Sequence, residues 1–177
     1  NWIEVGYVNK KHKQEFYKKG EEYLLGFLKN GYNPKTKIVA LESKFKLKID
    51  ESLLVGGTID RLDDLGSGQY EIIDYKTGEN LPTEKDLKEN FQLTFYSLAV
   101  SEIKEKVLNV DPENVVLSLY YLEKETKLST SRTDDQLEDA KIKIIKKADE
   151  ISKSEFKCSK SIFCNTCEYR MLCSTFS

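Results

Sequence analysis

A predicted helix separates the third and fourth predicted strands of this chain, and this order limits how the strands can pair. Three segments before the helix and one after it have the apolar patterns typical of β-strands. The four strand segments are residues 37–49, 53–60, 69–77 and 115–122. The helix runs from Thr83 to about Leu108, long enough for a crossover between parallel strands. We therefore expect a mixed sheet.

Amphipathic helices are predicted at both ends, over residues 7–29 and 134–153. The element order becomes αβββαβα, followed by a cysteine-rich segment. An α/β (α+β) fold follows, with helices flanking a mixed central sheet. At 177 residues, one domain over residues 1–177 is expected. Its parts would be an N-terminal helix (1–36), a core (37–124), a C-terminal helix (125–157) and the cysteine segment (158–173). Asn1 in place of an initiator Met fits a fragment of a longer protein.

The charge balance excludes one class of partner surface. The net charge is −2, so the chain is not a globally basic nucleic-acid binder, although a local basic groove is compatible with it. No apolar run approaches the roughly 18 residues that a membrane span requires, so no membrane association is expected.

All four cysteines lie in one short stretch near the end of the chain. They are Cys158, Cys164, Cys167 and Cys173. Disulfide scaffolds distribute their cysteines to connect distant segments, whereas clustered thiols are typical of metal ligands in a reducing compartment. Four thiolates can hold Zn²⁺ or an iron–sulfur cluster. The alternative is a set of buried thiols, and a cytoplasmic location follows from the metal interpretation.

Two aspartates lie at or near the ends of neighbouring predicted strands. Asp60 closes the second strand, and Asp74 lies in the third strand two residues before Lys76, so Asp74 and Lys76 project from one face. A hairpin between these strands would bring two carboxylates and an ammonium group together. Such oxygen ligands suit Mg²⁺ or Mn²⁺, which activate water and stabilise charge on a phosphate. The alternative is an ordinary Asp–Lys pair on a strand surface.

Three further polar residues are candidates for the same site. Glu42 follows an apolar run on the first strand and either has a buried partner or faces water at a sheet edge. Gln92 and Tyr96 are four residues apart and share one helix face. That face points either toward the carboxylates or, in the alternative, carries a solvated Gln beside a core Tyr.

These motifs together resemble the RecB/Cas4-like branch of the PD-(D/E)XK nuclease superfamily. The resemblance rests on Glu42, on Gly57-Thr58-Ile59-Asp60-Arg61, on Asp74-Tyr75-Lys76-Thr77-Gly78, on Gln92-x3-Tyr96 and on the terminal C-x2-C-x5-C pattern. It covers residues 37–173 and implies a restriction-endonuclease-like fold. Many relatives carry a metal-site His on an upstream helix; His12 does not match that pattern, and we expect it to be solvated.

The resemblance implies a role for each matching residue. Asp60 and Asp74 would be metal ligands, Lys76 the catalytic lysine and Glu42 an acidic residue near the metal. Gln92 and Tyr96 would support the lysine and the substrate. The carbonyl of Tyr75 would add a metal ligand, and Arg61 would be a phosphate or structural partner. The three terminal cysteines resemble those that anchor a [4Fe-4S] cluster, with Cys158 as the fourth ligand.

The function implied is metal-dependent hydrolysis of DNA phosphodiesters, as an exonuclease in repair or recombination. Mg²⁺ or Mn²⁺ would be the cofactor, single-stranded DNA or DNA ends the substrate, and a helicase domain or subunit the partner. Two alternatives remain open from the sequence. One is a catalytically idle DNA-binding or structural module of a helicase–nuclease, and the other is a zinc-binding interaction domain.

Overall fold

The protein, described here from a computed structural model, is built on a five-stranded sheet. The structure describes residues 5–102, 110–155, 161–167 and 169–173. The strands are β1 (Lys37–Lys48), β2 (Leu54–Gly66), β3 (Gln69–Lys76), β4 (Val115–Tyr121) and β5 (Thr126–Thr130). The helices are α1 (Lys10–Gly26), α2 (Glu84–Lys88), α3 (Phe91–Glu102) and α4 (Asp134–Ser152). A π-helical turn (Phe27–Gly31) follows α1, and 3₁₀ turns cover Pro112–Asn114, Ile162–Thr166 and Arg170–Leu172.

The strands lie in the order β1-β2-β3-β4-β5. Strands β3 and β4 are parallel and every other neighbouring pair is antiparallel. The chain passes through α2 and α3 between the two parallel strands, as a parallel connection requires. The predicted mixed sheet flanked by helices is confirmed.

One face of the sheet carries the main apolar core. Helix α3 is apolar around most of its circumference, and Leu93, Leu98 and Ala99 are fully buried against the sheet. Helix α4 adds Leu137 and Ala140 to the same core. Because α3 packs against both the sheet and α4, its position relative to β3 is fixed by these contacts.

The opposite face is covered by the turn that follows α1. The ring of Phe27 packs edge-on against Tyr75 and Tyr120, at centroid distances of 5.6 and 5.4 Å. Gly31 is needed here, because a Cβ at this position would lie 2.4 Å from the Tyr120 hydroxyl. Helices therefore flank the sheet on both sides.

The structure corrects the predicted element order in two places. The predicted helix from Thr83 is divided into α2 and α3, because the Asn90 side chain accepts a hydrogen bond from the Leu93 amide and starts a new helix. The predicted C-terminal helical region 125–157 also contains β5, whose alternation is weak because Leu128 is its only apolar residue. Among the described residues, no helix has the length and apolar character to cross a membrane.

Candidate active site

Asp74 lies near the carboxyl end of β3 and is almost completely buried, with 3% of its surface exposed. It follows the core residue Ile72 on the same strand face, so the alternation of β3 directs its carboxylate toward α3. Lys76, the next residue on that face, is fixed at its backbone because its carbonyl accepts a hydrogen bond from the Leu122 amide at 2.9 Å. The pair predicted from the sequence is therefore on one face, as expected.

The Lys76 ammonium makes two polar contacts. Its Nζ lies 2.5 Å from Asp74 Oδ2 and donates a hydrogen bond to Gln92 Oε1 at 2.9 Å. The contact with Asp74 is an ion pair by distance, but its angles are not those of a hydrogen bond. Among the described residues, Asp74 Oδ2 is consequently a buried carboxylate oxygen without a hydrogen-bond donor.

Gln92 and Tyr96 of α3 connect Lys76 back to Asp74. The Gln92 Nε2 donates to the Tyr96 hydroxyl at 2.9 Å, and that hydroxyl donates to Asp74 Oδ1 at 3.3 Å. The four side chains form a closed ring of polar contacts. The structure thus places the predicted Gln–Tyr face beside the carboxylate, with Tyr96 buried and Gln92 exposed at the edge of the ring.

The environment of this polar ring changes the pKa of the Tyr96 hydroxyl. Burial, together with the nearby Asp74 charge, raises the pKa of Tyr96 to about 12. The hydroxyl therefore stays protonated and can donate to Asp74 throughout the neutral range.

Asp60 approaches the same place from β2. The β2–β3 ladder ends with the pair Arg61 and Ile73, so Asp60 and Asp74 occupy the next register position. At this position a side chain replaces the backbone pairing between the strands. The Oδ2 of Asp60 accepts a hydrogen bond from the Tyr75 amide at 3.1 Å. The aspartate is thereby held across from β3 at the point where pairing ends.

Glu42 lies on β1 between two residues paired with β2, Leu41 with Arg61 and Ser43 with Ile59. This register places Glu42 beside Asp60. Its φ of +46° is in the left-handed region, which is unusual for a non-glycine residue within a strand and typical of functional sites. The Glu42 side chain is exposed, and the described residues contain no group of three or more His, Cys, Asp or Glu positioned to hold a metal.

Arg61 lies on the other side of the sheet from the polar ring. Its guanidinium is buried and its Nε contacts both carboxylate oxygens of Asp63, at 2.8 and 2.9 Å. A longer hydrogen bond of 3.4 Å reaches the Tyr75 hydroxyl. This environment favours the structural alternative for Arg61 over phosphate contact, and Asp63 is a partner that the sequence analysis missed.

The three described cysteines lie in the short turns at the end of the chain. The amide of Cys167 donates to the carbonyl of Cys164, and the amide of Cys173 donates to that of Arg170. Cys158 falls outside the described residues, and the described cysteines form no metal-binding group. The predicted metal centre of the four cysteines therefore stays a prediction.

His12 packs its ring against Phe16 at a centroid distance of 4.7 Å, and its Nδ1 accepts a hydrogen bond from the Val8 amide. It is half-buried in an aromatic contact rather than fully solvated. Sequence reasoning also missed Arg132, a fully buried arginine behind the start of α3. Nothing in the spacing around Arg132 distinguishes it from a surface residue.

Comparison with known proteins agrees with this geometry. The family model of the PD-(D/E)XK nuclease superfamily matches residues 4–174. The chain belongs to this superfamily. Membership points to a nuclease, a hydrolase of nucleic-acid phosphodiesters, and members of the superfamily typically use Mg²⁺ or Mn²⁺.

This PD-(D/E)XK chain is similar to a curated protein in sequence and to a solved structure in fold. A stretch of 46 residues is 41% identical to a subunit of the ATP-dependent helicase/deoxyribonuclease of Streptococcus uberis. That match spans 26% of this chain and only 4% of the relative. A solved structure described as "Crystal structure of SSO0001" superposes with a TM-score of 0.50 and 15% identity, over 96% of this chain and 73% of the other. At this identity the likeness concerns the fold alone.

Proposed function

We propose that this chain is a divalent-cation-dependent deoxyribonuclease domain of the RecB/Cas4-like branch. The observation that carries the proposal is the state of Asp74. Its Oδ2 is buried, has no hydrogen-bond donor among the described residues and faces a lysine ammonium. Burying a carboxylate without full hydrogen bonding is costly, and a bound cation would remove that cost.

The donor set suits a hard cation. Asp60 and Asp74 would supply carboxylate oxygens, the carbonyl of Tyr75 would complete the protein ligands, and Glu42 would lie beside them. A site with few protein ligands is compatible with Mg²⁺, which keeps several waters. When bound, such a cation lowers the pKa of a coordinated water and offsets negative charge that develops on the phosphate.

The remaining residues prepare the reacting groups. Lys76 would stabilise the phosphate charge or orient the attacking water with its ammonium group. Gln92 fixes the Lys76 ammonium through a hydrogen bond of 2.9 Å. Tyr96 fixes the rotation of the Asp74 carboxylate through Oδ1, which leaves Oδ2 directed at the cation position. Preorganised charges of this kind are effective in catalysis because they need no rearrangement during the reaction.

The sequence match to a helicase/deoxyribonuclease subunit supports a helicase partner, in the same chain or in another. We therefore propose that the domain acts as an exonuclease on single-stranded DNA or DNA ends during repair or recombination in the cytoplasm. The cysteine segment would hold a [4Fe-4S] cluster or Zn²⁺ with a structural role. Comparing a linear with a closed circular substrate tests the exonuclease proposal, since an exonuclease leaves the circle intact.

The central experiment is a nuclease assay with and without Mg²⁺ or Mn²⁺ on the wild type and on Asp74→Asn. We expect cleavage only with the cation, and a loss of about 10²–10⁴-fold in the variant, the equivalent of several kcal/mol of lost stabilisation. Asp64→Asn is the matched control, because Asp64 lies on β2 in an exposed pair with Lys37 at 2.8 Å. Full activity of Asp74→Asn would contradict the site, and cation-dependent DNA binding without cleavage would instead support the idle DNA-binding module.

A further inference from the structure

Arg132 is a fully buried arginine in the segment between β5 and α4, with 1% of its surface exposed. Among the described residues its guanidinium has no carboxylate partner, and all its acceptors are neutral oxygens. Nε donates to Thr94 Oγ1 at 2.8 Å, Nη2 donates to the carbonyls of Leu87 and Asn90 at 3.1 and 3.2 Å, and Nη1 donates to Thr130 Oγ1 and the Ser131 carbonyl at 3.2 and 2.8 Å. Burying a charge among neutral groups is expensive, so the contacts it makes call for a functional explanation.

The contacts converge on the corner where α2 ends and α3 begins. Leu87 lies in the last turn of α2, where its carbonyl also accepts a long backbone hydrogen bond of 3.4 Å from the Asn90 amide. Asn90 caps α3, since its side chain accepts from the Leu93 amide and its carbonyl accepts from the Thr94 amide. Arg132 binds both carbonyls with one nitrogen and thus joins the two helices across the break.

Arg132 contacts Asn90 and Thr94 at the start of α3, and Gln92 lies between these two residues in the sequence. The Gln92 side chain is exposed, so packing does not fix it from outside. Its position relative to Lys76 depends on the backbone of the first turn of α3. Arg132 holds that turn from the buried side, while Gln92 reaches Lys76 from the same turn.

We propose that Arg132 is a positioning residue for the polar ring: it fixes the start of α3 so that Gln92 meets the Lys76 ammonium. Its kinetic consequence rests on the nuclease function proposed above. A planar guanidinium can serve Thr94, Leu87 and Asn90 together, whereas a lysine ammonium offers all its donors from one atom. The arginine fork is therefore the feature under test.

The test compares Arg132→Lys, Arg132→Gln and Thr94→Val with the wild type of the full chain. We expect kcat per folded molecule to fall by about 10- to 100-fold, as small misplacements of catalytic groups do, with KM for DNA within about 3-fold. Ile144→Val is the control, since Ile144 lies on α4, is 8% exposed and belongs to no polar contact of the site. It should lose stability without losing kcat. If the arginine variants fail to fold, Thr94→Val still tests the proposal, because it removes one acceptor of Arg132 and leaves the arginine in place.

Two readouts separate positioning from general destabilisation. In the background of Gln92→Ala, Arg132→Lys should cause no further loss of kcat, because both changes would remove the same support. In addition, the side-chain amide NMR signals of Gln92, assigned by their loss in Gln92→Ala, should shift in Arg132→Lys and Thr94→Val and stay in place in Ile144→Val.

Unmoved Gln92 amide signals, or losses that add in full to that of Gln92→Ala, would overturn the role of Arg132. Failure of the wild type to cleave DNA would instead overturn the nuclease proposal. The NMR comparison needs no activity, so in that event shifted Gln92 signals still support the positioning role and unshifted signals still overturn it.

Discussion

Asp74 is surrounded by groups that act on its two oxygens differently. Tyr96 donates a hydrogen bond to Oδ1, whereas Lys76 approaches Oδ2 as an ion pair without hydrogen-bond geometry. The first contact sets the orientation of the carboxylate, and the second balances its charge. A divalent cation at Oδ2 would compete with the ammonium for the same atom, so the lysine should turn toward Gln92 and the phosphate when a cation binds.

This competition gives a prediction for Lys76→Ala. We expect kcat for DNA cleavage to fall by about 10²-fold or more, because a positioned charge near the phosphate is lost. The affinity for Mn²⁺, measured by calorimetry without DNA, should stay equal or increase, because the competing ammonium has gone. A collapse of Mn²⁺ affinity would show that Lys76 builds the site instead of acting on the substrate.

Tyr96 gives a prediction about stability at alkaline pH. Its pKa is raised to about 12 in the folded protein, from an ordinary value of 10.0. Between these values the folded state keeps a proton that the unfolded state releases, so the stabilisation is complete below pH 10 and is lost as pH rises toward 12. In Tyr96→Phe the decline of unfolding free energy across this range should be shallower than in the wild type. Parallel declines in urea titrations would contradict the pKa shift.

At the scale of elements, a glycine on β2 leaves room for an aromatic side chain of the neighbouring strand β1. A Cβ on Gly57 would lie 2.8 Å from the ring of Phe45, directly opposite on β1. Gly57→Ala should therefore cost about 1–3 kcal/mol of unfolding free energy, as overpacking does. Gly78→Ala is the matched control, since a Cβ there meets nothing within 4 Å. Equal denaturation midpoints for the two variants would contradict this packing.

The predicted elements that matched best have a strong pattern of their own. Strand β3 and helix α4 were predicted within a residue or two of the observed Gln69–Lys76 and Asp134–Ser152, because alternation and amphipathic periodicity are local properties. The break between α2 and α3 was missed because its signs are one capping Asn and a contact from Arg132, which lies 42 residues further along the chain. Long-range contacts of this kind leave no periodic signal.

In the candidate site, too, the features that follow from local sequence patterns were predicted and some of the others were missed. Placing Asp74, Lys76, Gln92 and Tyr96 together needed only strand alternation, the i to i+4 rule and a family resemblance. The left-handed backbone of Glu42 could not be predicted, since it depends on how β1 and β2 meet. The pairing of Arg61 with Asp63 was missed although strand alternation places these two residues of β2 on one face. Sequence analysis therefore identified the polar ring but not the sheet irregularity beside it.

At the scale of the whole molecule, the core sheet and the cysteine segment differ in how they are stabilised. The sheet has a continuous apolar core, whereas the described part of the cysteine segment carries two 3₁₀ turns and large exposed apolar side chains. Ile162, Phe163 and Met171 are 85%, 72% and 97% exposed. Short turns of this kind gain little from burial, so another source of stabilisation is needed if the segment is to be ordered.

We predict that this source is a metal centre held by Cys158, Cys164, Cys167 and Cys173. Its binding free energy would count toward folding, because the unfolded chain has no preformed site. Cys167→Ser should lower the thermal midpoint and solubility, while kcat of the molecules that stay folded remains close to the wild-type value. Metal analysis and a visible spectrum on anaerobically purified protein identify the occupant. Iron, sulfide and absorption toward the blue end of the spectrum indicate a cluster, and colourless protein with zinc indicates Zn²⁺. Protein with neither metal and an unchanged midpoint in Cys167→Ser would show that the thiols have no structural metal to hold.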